Sequence, residues 1–198
     1  MSNIPYLHTA DTKLMLQVKK DLDRHEGFRE YAYPDPLSKI AREYPVSKTF
    51  PWGTVPARVL LAKIKGVKDS DGAPWTVGYG FTNGTTPDSR ISKIAAERML
   101  EGLILEQNAR LKEKLPGYTD GSFVTKTVLI NMAFNMGLKG LLSFKNTLAF
   151  IKAKNYAQAA RNMELSLWFT QVGSRAKELV KRMRTQTIEP QHITGETS

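Results

Sequence analysis

The 198-residue sequence contains no cysteine, which excludes disulfide bonds, thiolate catalysis and cysteine-based zinc sites. It has no apolar run near the roughly 18 residues that a transmembrane helix needs, and its start has no basic segment followed by an apolar one. Histidine is scarce, and the spacing of His8, His25 and His192 is not that of metal ligands. We therefore expect no metal, no cofactor, no secretory signal and no stable membrane insertion.

Positive charge is the most prominent property that the sequence does have. Lys and Arg number 29 against 19 Asp and Glu, which gives a formal net charge of +10. Such a surface attracts polyanions, including nucleic acid, anionic lipid and an acidic cell wall, and it is equally compatible with no specific partner. The aromatic residues fall mostly on apolar helix faces, where they are suited to core packing rather than to stacking on nucleic-acid bases. We therefore expect no nucleic-acid partner.

The spacing of apolar residues predicts an α+β fold with two lobes. Residues 10–25 have the pattern of an amphipathic helix, and the proline-rich segment 26–86 has that of short strands and loops. Helical spacing returns over 87–188, where a long helix leads into an all-helical lobe. We expect helix 10–25 to pack on that lobe, residues 189–198 to form a tail, and the whole chain to be one domain.

Three glycines close together in the segment PWTVGYGF and just after it raise the question of a phosphate-binding loop. Gly78, Gly80 and Gly84 are spaced GxGxxxG, one residue longer than the dinucleotide fingerprint, and neither a helix nor a βαβ pattern surrounds them. The spacing therefore argues against a Rossmann loop.

Two acidic residues flank the end of the first predicted helix. Glu26 closes the helix and Asp35 follows in the loop YAYPDPL. Hydrolysis of a glycosidic bond uses two carboxyl groups, one protonated to donate to the leaving oxygen and one ionised to activate water. Two solvated acids on a surface would show the same spacing.

Three groups of motifs, in this order along the chain, resemble the phage-type lysozymes, the family that includes the lysozyme of the T-even coliphages. The resemblance covers most of residues 12–188. The segments that carry it are Glu26-Gly27-Phe28-Arg29 with Tyr33 and Asp35, then Trp75-Thr76-Val77-Gly78-Tyr79-Gly80, then Ile130–Gly137, Ser143–Leu148, Ser166 with Trp168, Ser174–Lys177 and Met183–Thr185.

The resemblance implies a two-lobed lysozyme fold and a muramidase that cleaves the β-1,4 bond between N-acetylmuramic acid and N-acetylglucosamine in peptidoglycan. Glu26 matches the family's general acid, and Asp35 matches the carboxylate that activates water. Thr76 matches the hydroxyl that helps to hold this water. The family inverts the anomeric carbon, and an inverting pair of carboxyl groups is typically about 6.5–9.5 Å apart.

Further positions carry over as contacts to the sugar chain or as support. Thr82, Phe134, Thr147 and Asn162 match substrate-binding positions, and Arg175 matches a supporting arginine that reaches the acid. Thr82 replaces an apolar family residue, and Phe134 also fits a core position on a helix face.

The sequence departs from the family pattern between Asp35 and Thr76, where an insertion over residues 36–72 enters the small lobe. The insertion adds Asp71 as a second candidate for the carboxylate that activates water, because Asp71 lies five residues before Thr76. We favour Asp35, since its spacing from Glu26 and the preceding Tyr-Pro match the family.

The resemblance also implies a biological setting. We expect a phage-encoded, monomeric lysozyme that is made in the host cytoplasm, passes the inner membrane through a holin pore and degrades the periplasmic cell wall at lysis. Two alternatives stay open: a lytic transglycosylase, which uses the muramyl hydroxyl in place of water, and a non-catalytic protein that binds the cell wall on a lysozyme scaffold.

Overall fold

The computed structural model describes residues 9–189, which form two compact units. Residues 19–103 form the strand-containing unit, and residues 9–18 and 104–189 form the helical unit. Of the predicted tail 189–198, all but Glu189 lies outside the described residues, as do His8 and His192.

Helix is the commonest regular structure of residues 9–189, which contain one small two-stranded sheet. The helices are α1 (Thr9–Glu26), α2 (Lys39–Glu43), α3 (Ala57–Leu61), α4 (Lys93–Lys114), α5 (Phe123–Leu142), α6 (Lys145–Lys152), α7 (Tyr156–Glu164), α8 (Leu167–Val172) and α9 (Ser174–Thr185), with a 3-10 helix at Asp69–Gly72. The strands β1 (Arg29–Pro34) and β2 (Trp75–Gly78) pair antiparallel. The predicted α+β fold class is confirmed.

Helix α1 contributes to both units and is amphipathic, as its sequence predicts. Leu14, Val18 and Leu22 recur every four residues and are almost completely buried, whereas Leu16 is 54% exposed. In the strand-containing unit, Lys19 Nζ of α1 lies 2.6 Å from Glu101 Oε1 of α4. This ion pair holds the second half of α1 against the first half of α4.

Helix α5 is the centre of the helical unit. It begins after Ser122, whose side chain accepts a hydrogen bond from the Thr125 N–H, and it breaks at Gly137 with φ 75° and ψ 161°. The regular part of α5 therefore ends before Gly137. In residues 9–189 no single helix is long and apolar enough to cross a membrane. Helices α5 and α6 pass that test only together, bent by 101°, and buried core helices pass it too.

The insertion 36–72 folds around aromatic residues rather than long helices. Trp52 and Trp75 meet edge to face with ring centroids 6.1 Å apart, and they pack with buried residues of α2 and α3. Each indole N–H is satisfied, Trp52 Nε1 by the Tyr44 carbonyl at 2.9 Å and Trp75 Nε1 by the Asp69 carbonyl at 2.8 Å. Because Trp75 belongs to β2, this small core fixes the insertion to the sheet.

Candidate active site

The pairing of β1 with β2 brings Asp35 next to the segment that leads into the strand of Thr76, although the whole insertion separates the two residues in sequence. Tyr33 pairs with Thr76 in the sheet register. The Asp35 N–H then donates to the carbonyls of Gly72 and Pro74, each at 3.2 Å. Asp35 therefore lies beside the residues that lead into the strand carrying Thr76.

The side chains of these two residues differ in how they are held. Asp35 Oδ1 accepts a hydrogen bond from the Leu37 N–H at 2.7 Å, which fixes the half-buried carboxylate at the start of a turn. Thr76 is only 7% exposed, and its hydroxyl has no hydrogen-bond partner within residues 9–189. A β-branched, buried threonine with an open hydroxyl is suited to orient a small hydrogen-bonding molecule.

Glu26 is the last residue of α1 and lies near the turn that follows Thr76. Gly27 ends the helix with φ 65°, and its N–H donates to the Asp23 carbonyl at 3.0 Å. Val77 and Phe81 exchange two backbone hydrogen bonds of 2.9 Å and close a turn that contains Gly80. A Cβ at Gly80 would be 3.8 Å from Glu26 Oε2, so the carboxylate of Glu26 approaches this turn.

Tyr33 lies near both Glu26 and Thr76. Burial of the phenol and, secondly, the charge of Glu26 raise the pKa of Tyr33. Its pairing with Thr76 places the two side chains on the same face of the sheet. The sequence contains Tyr33 within the family motif, but only the sheet register shows that it pairs with Thr76.

Asp71, the rival carboxylate, has a structural role. Its Oδ2 accepts a hydrogen bond from the Lys68 N–H at 2.9 Å and thereby caps the 3-10 helix Asp69–Gly72. Its side chain lines a small cavity beside α2. Thr82, in contrast, is exposed in the loop that follows the Gly80 turn.

In the helical unit, the structure brings two of the predicted substrate-binding residues together. Thr147 is completely buried, and its Oγ1 donates to Asn162 Oδ1 at 2.9 Å. Thr147 therefore orients the amide of Asn162 rather than facing solvent itself. Phe134 is half-buried on α5, and Arg175 is 6% exposed with Nη2 donating to the Asn131 carbonyl at 3.3 Å.

Asn162 lines an open cavity of about 480 Å³ within the helical unit. Lys145 and Leu165 also line this cavity. The sequence indicated Lys145 only as part of a family motif, without a role, and it did not indicate Leu165. Leu165 is 78% exposed, which is unusual for a large apolar side chain. This exposure can be recognised only once the positions of the helices are known. Within residues 9–189, no group of three or more His, Asp or Glu side chains could hold a metal ion.

Comparison with known protein families assigns this chain to one of them. The model of the phage lysozyme family matches residues 62–186. The chain belongs to the phage lysozyme family. The matched segment contains Thr76, Thr82, Phe134, Thr147, Asn162 and Arg175. It begins after Glu26 and Asp35, so these two residues depend on the motif resemblance and on the sheet geometry.

The individual relatives each match a part of this chain. "Probable T4-type lysozyme 1" of Dictyostelium discoideum is 35% identical over 65 residues, which are 33% of this chain and 38% of the relative. "Peptidoglycan hydrolase gp36" of Pseudomonas phage phiKMV is 28% identical over 150 residues, which are 73% of this chain but only 16% of the relative. The chain thus matches well under half the length of either relative.

Proposed function

We propose that this phage lysozyme is a muramidase that cleaves the β-1,4 bond between N-acetylmuramic acid and N-acetylglucosamine in peptidoglycan. The observation that carries the proposal is the strand register, which sets Asp35 beside the strand of Thr76, with Glu26 near the Gly80 turn. Family membership and the printed name of the phage relative support a cell-wall substrate.

In the proposed mechanism, Glu26 is the general acid that protonates the leaving oxygen. Asp35 is the base that activates a water, and Thr76 holds this water through its hydroxyl. The water attacks the face of the sugar opposite the leaving group, so the product anomer is inverted and no covalent sugar-enzyme intermediate forms.

The remaining predicted residues receive supporting roles. Asn162, oriented by Thr147, offers amide hydrogen bonds to a sugar, while Phe134 and Thr82 offer contact surface. Arg175 is nearly buried, so we assign it a positioning role. These roles apply to a monomer that requires neither a metal ion nor a cofactor.

The charge and the phage relationship support the proposed setting in host lysis. A net charge of +10 favours binding to an anionic cell wall, and salt should weaken that attraction. We propose release from the host cytoplasm through a holin pore. Expression in the host with and without a holin tests this step, since lysis without the holin would contradict it.

The central test replaces Glu26 with its neutral isostere. We expect Glu26→Gln to lower the rate of wall clearing by about 10²-fold or more, because the leaving group loses its proton donor. The thermal midpoint should stay within a few degrees, since the side chain keeps its size. Clearing by the variant at the wild-type rate would rule out Glu26 as the acid.

The second carboxylate is tested by comparing Asp35→Asn with Asp71→Asn. Loss of clearing in Asp35→Asn alone is the expected result, whereas loss in Asp71→Asn alone would transfer the role to Asp71. Mass spectrometry of the released fragments completes the test. Reducing muramyl ends support hydrolysis, anhydromuramyl ends identify a lytic transglycosylase, and binding without fragments identifies a non-catalytic protein.

A further inference from the structure

The insertion 36–72 supplies the positive charge of the strand-containing unit. It has seven Lys and Arg and three Asp and Glu, a formal charge of +4. The rest of this unit, residues 19–35 and 73–103, has seven basic and eight acidic residues, a formal charge of −1. The insertion therefore changes the electrostatics of the unit that contains Glu26 and Asp35.

The basic residues of the insertion divide into paired and unpaired groups. Arg58 binds Asp69 and Asp88 with nitrogen–oxygen distances of 2.7 Å. The side chains of Lys39 and Lys65, by contrast, have no hydrogen bond or ion pair within residues 9–189. Unpaired lysines are common on surfaces, so these two gain meaning only from the cavity that they share.

A cavity of about 60 Å³ lies between α2 and the turn at residues 64–67. Its apolar walls come from Ile40, Ile64 and Val67, with Tyr44 at the side. The charged residues around it are two lysines and two acids, namely Lys39, Lys65, Glu43 and Asp71.

This balance of charges favours a ligand that carries both signs of charge. For a simple anion, attraction by the two lysines is offset by repulsion from the two carboxylates, and for a simple cation the signs are reversed. A group with an ammonium and a carboxylate on one carbon presents both charges within the same small volume. The cavity has room for several water-sized groups, at about 10–15 Å³ for each, which is sufficient for such a zwitterionic end.

Backbone hydrogen bonds connect both walls of the cavity to Asp35. The Ser38 N–H donates to the Asp35 carbonyl at 2.9 Å, one residue before α2 begins at Lys39. The Asp35 N–H donates to the Gly72 carbonyl, next to Asp71. Both walls of the cavity are therefore tied through the backbone to Asp35, where we propose that the sugar chain binds.

We propose that the cavity binds the zwitterionic end of a diamino-dicarboxylic acid residue in the stem peptide of peptidoglycan. The inference rests on the proposed function, because it takes the sugar chain to bind at Asp35. Lys39 and Lys65 contact the carboxylate, and Glu43 contacts the ammonium. The insertion thereby selects walls by their peptide, whereas the sugar-cleaving residues act on the glycan.

The first experiment measures kinetics with two substrates. One is sacculi whose stems carry diaminopimelate, and the other is the same glycan after an amidase has removed the stems. We expect Lys65→Glu to raise KM roughly tenfold on stem-bearing sacculi without a change in kcat, and to leave the peptide-free glycan unaffected. Lys63→Glu is the matched control, because Lys63 is exposed in the same segment and does not line the cavity.

A binding measurement tests the cavity independently of catalysis. The probes are free stem tetrapeptides with diaminopimelate or with lysine at the third position, since lysine has the ammonium but lacks the second carboxylate. The wild-type protein should bind the diaminopimelate peptide more tightly, and Lys65→Glu should lose this preference while Lys63→Glu keeps it.

The outcomes separate this inference from the proposed function. Equal effects of Lys63→Glu and Lys65→Glu, or equal binding of the two tetrapeptides, would overturn the cavity assignment. Failure of the wild-type protein to cleave either glycan would overturn the muramidase function, while the tetrapeptides would still decide what the cavity binds. Unchanged circular dichroism and thermal midpoints in both variants show that a loss is not due to unfolding.

Discussion

The insertion and the helical unit bury their apolar residues in different ways. Helix α5 spans 20 residues, follows the N-cap Ser122 and buries every side chain from Thr127 to Ala133. Helices α2 and α3 of the insertion have five residues each, too short to be stable in isolation. The insertion depends instead on Trp52 and Trp75, whose rings and indole hydrogen bonds join its short elements to β2.

This difference shows that short elements can be held in place by aromatic packing instead of by helix length. The aromatic core includes Trp75 of β2, and Trp75 immediately precedes Thr76. The insertion is therefore anchored next to the candidate site, and its structure and the position of Asp35 are coupled through the same backbone hydrogen bonds.

The largest expected effect comes from removing the aromatic centre of the insertion. Trp52 is 2% exposed, and Trp52→Ala should lower the free energy of unfolding by about 3–5 kcal/mol through lost burial and a cavity. Hydrogen exchange should localise the loss to residues 36–72. Trp52→Phe, which keeps a ring but loses the indole N–H, should lose less. An unchanged exchange rate in the insertion of Trp52→Ala would contradict the comparison.

A smaller effect is expected from one buried hydrogen bond in the helical unit. Tyr118 is 2% exposed and donates to Asn108 Oδ1 at 2.8 Å, so Tyr118→Phe should cost about 1–2 kcal/mol in urea unfolding near pH 7. Burial and, secondly, the charge of Asp11 raise the pKa of Tyr118. The stabilisation that this raised pKa provides is complete below the ordinary tyrosine pKa, near 10, and is lost as the pH rises further.

The pH dependence sharpens that prediction. The difference in unfolding free energy between wild type and Tyr118→Phe should narrow above about pH 10. In that range Tyr118 ionises in the unfolded wild type but stays protonated in the folded protein, which lowers the stability of the wild type alone. Unfolding midpoints measured between neutral pH and that range test it. A difference that stays constant with pH would show that burial does not restrain the ionisation of Tyr118.

The smallest effect is expected at the surface of the insertion. Arg58 lowers the pKa of Asp88 by hydrogen bonding, so their pairing stabilises the fold above the ordinary aspartate pKa and is lost as the pH falls through the lowered value. Arg58→Gln should shift the thermal midpoint less than either core substitution, and the shift should shrink in acid and in high salt. Lys48→Gln, which removes a charge from an exposed residue of the same segment, is the control. An equal shift in the control would show that the ion pair adds nothing.

Patterns in the sequence predicted several elements well. The four-residue spacing of Leu14, Val18 and Leu22 predicted α1, and the helical spacing over 87–188 predicted the long helix α4 and the helices that follow it, because long helices repeat a strong local signal. Helix α2 and the 3-10 helix were not predicted. Their few residues carry little periodicity, and their apolar side chains are buried by contacts from distant parts of the chain.

For the candidate site, the sequence by itself determined the chemistry that is available. It supplied the acids Glu26 and Asp35, the hydroxyl of Thr76 and the motif order that indicates the family, since residue types and their order are local information. Only the tertiary structure decided which segments of the chain lie side by side. The pairing of β1 with β2 across the insertion set Asp35 beside the residues that lead into the strand of Thr76, and Asp71 caps the 3-10 helix Asp69–Gly72. That choice depends on long-range hydrogen bonds and an aromatic core, whose partners no local pattern specifies.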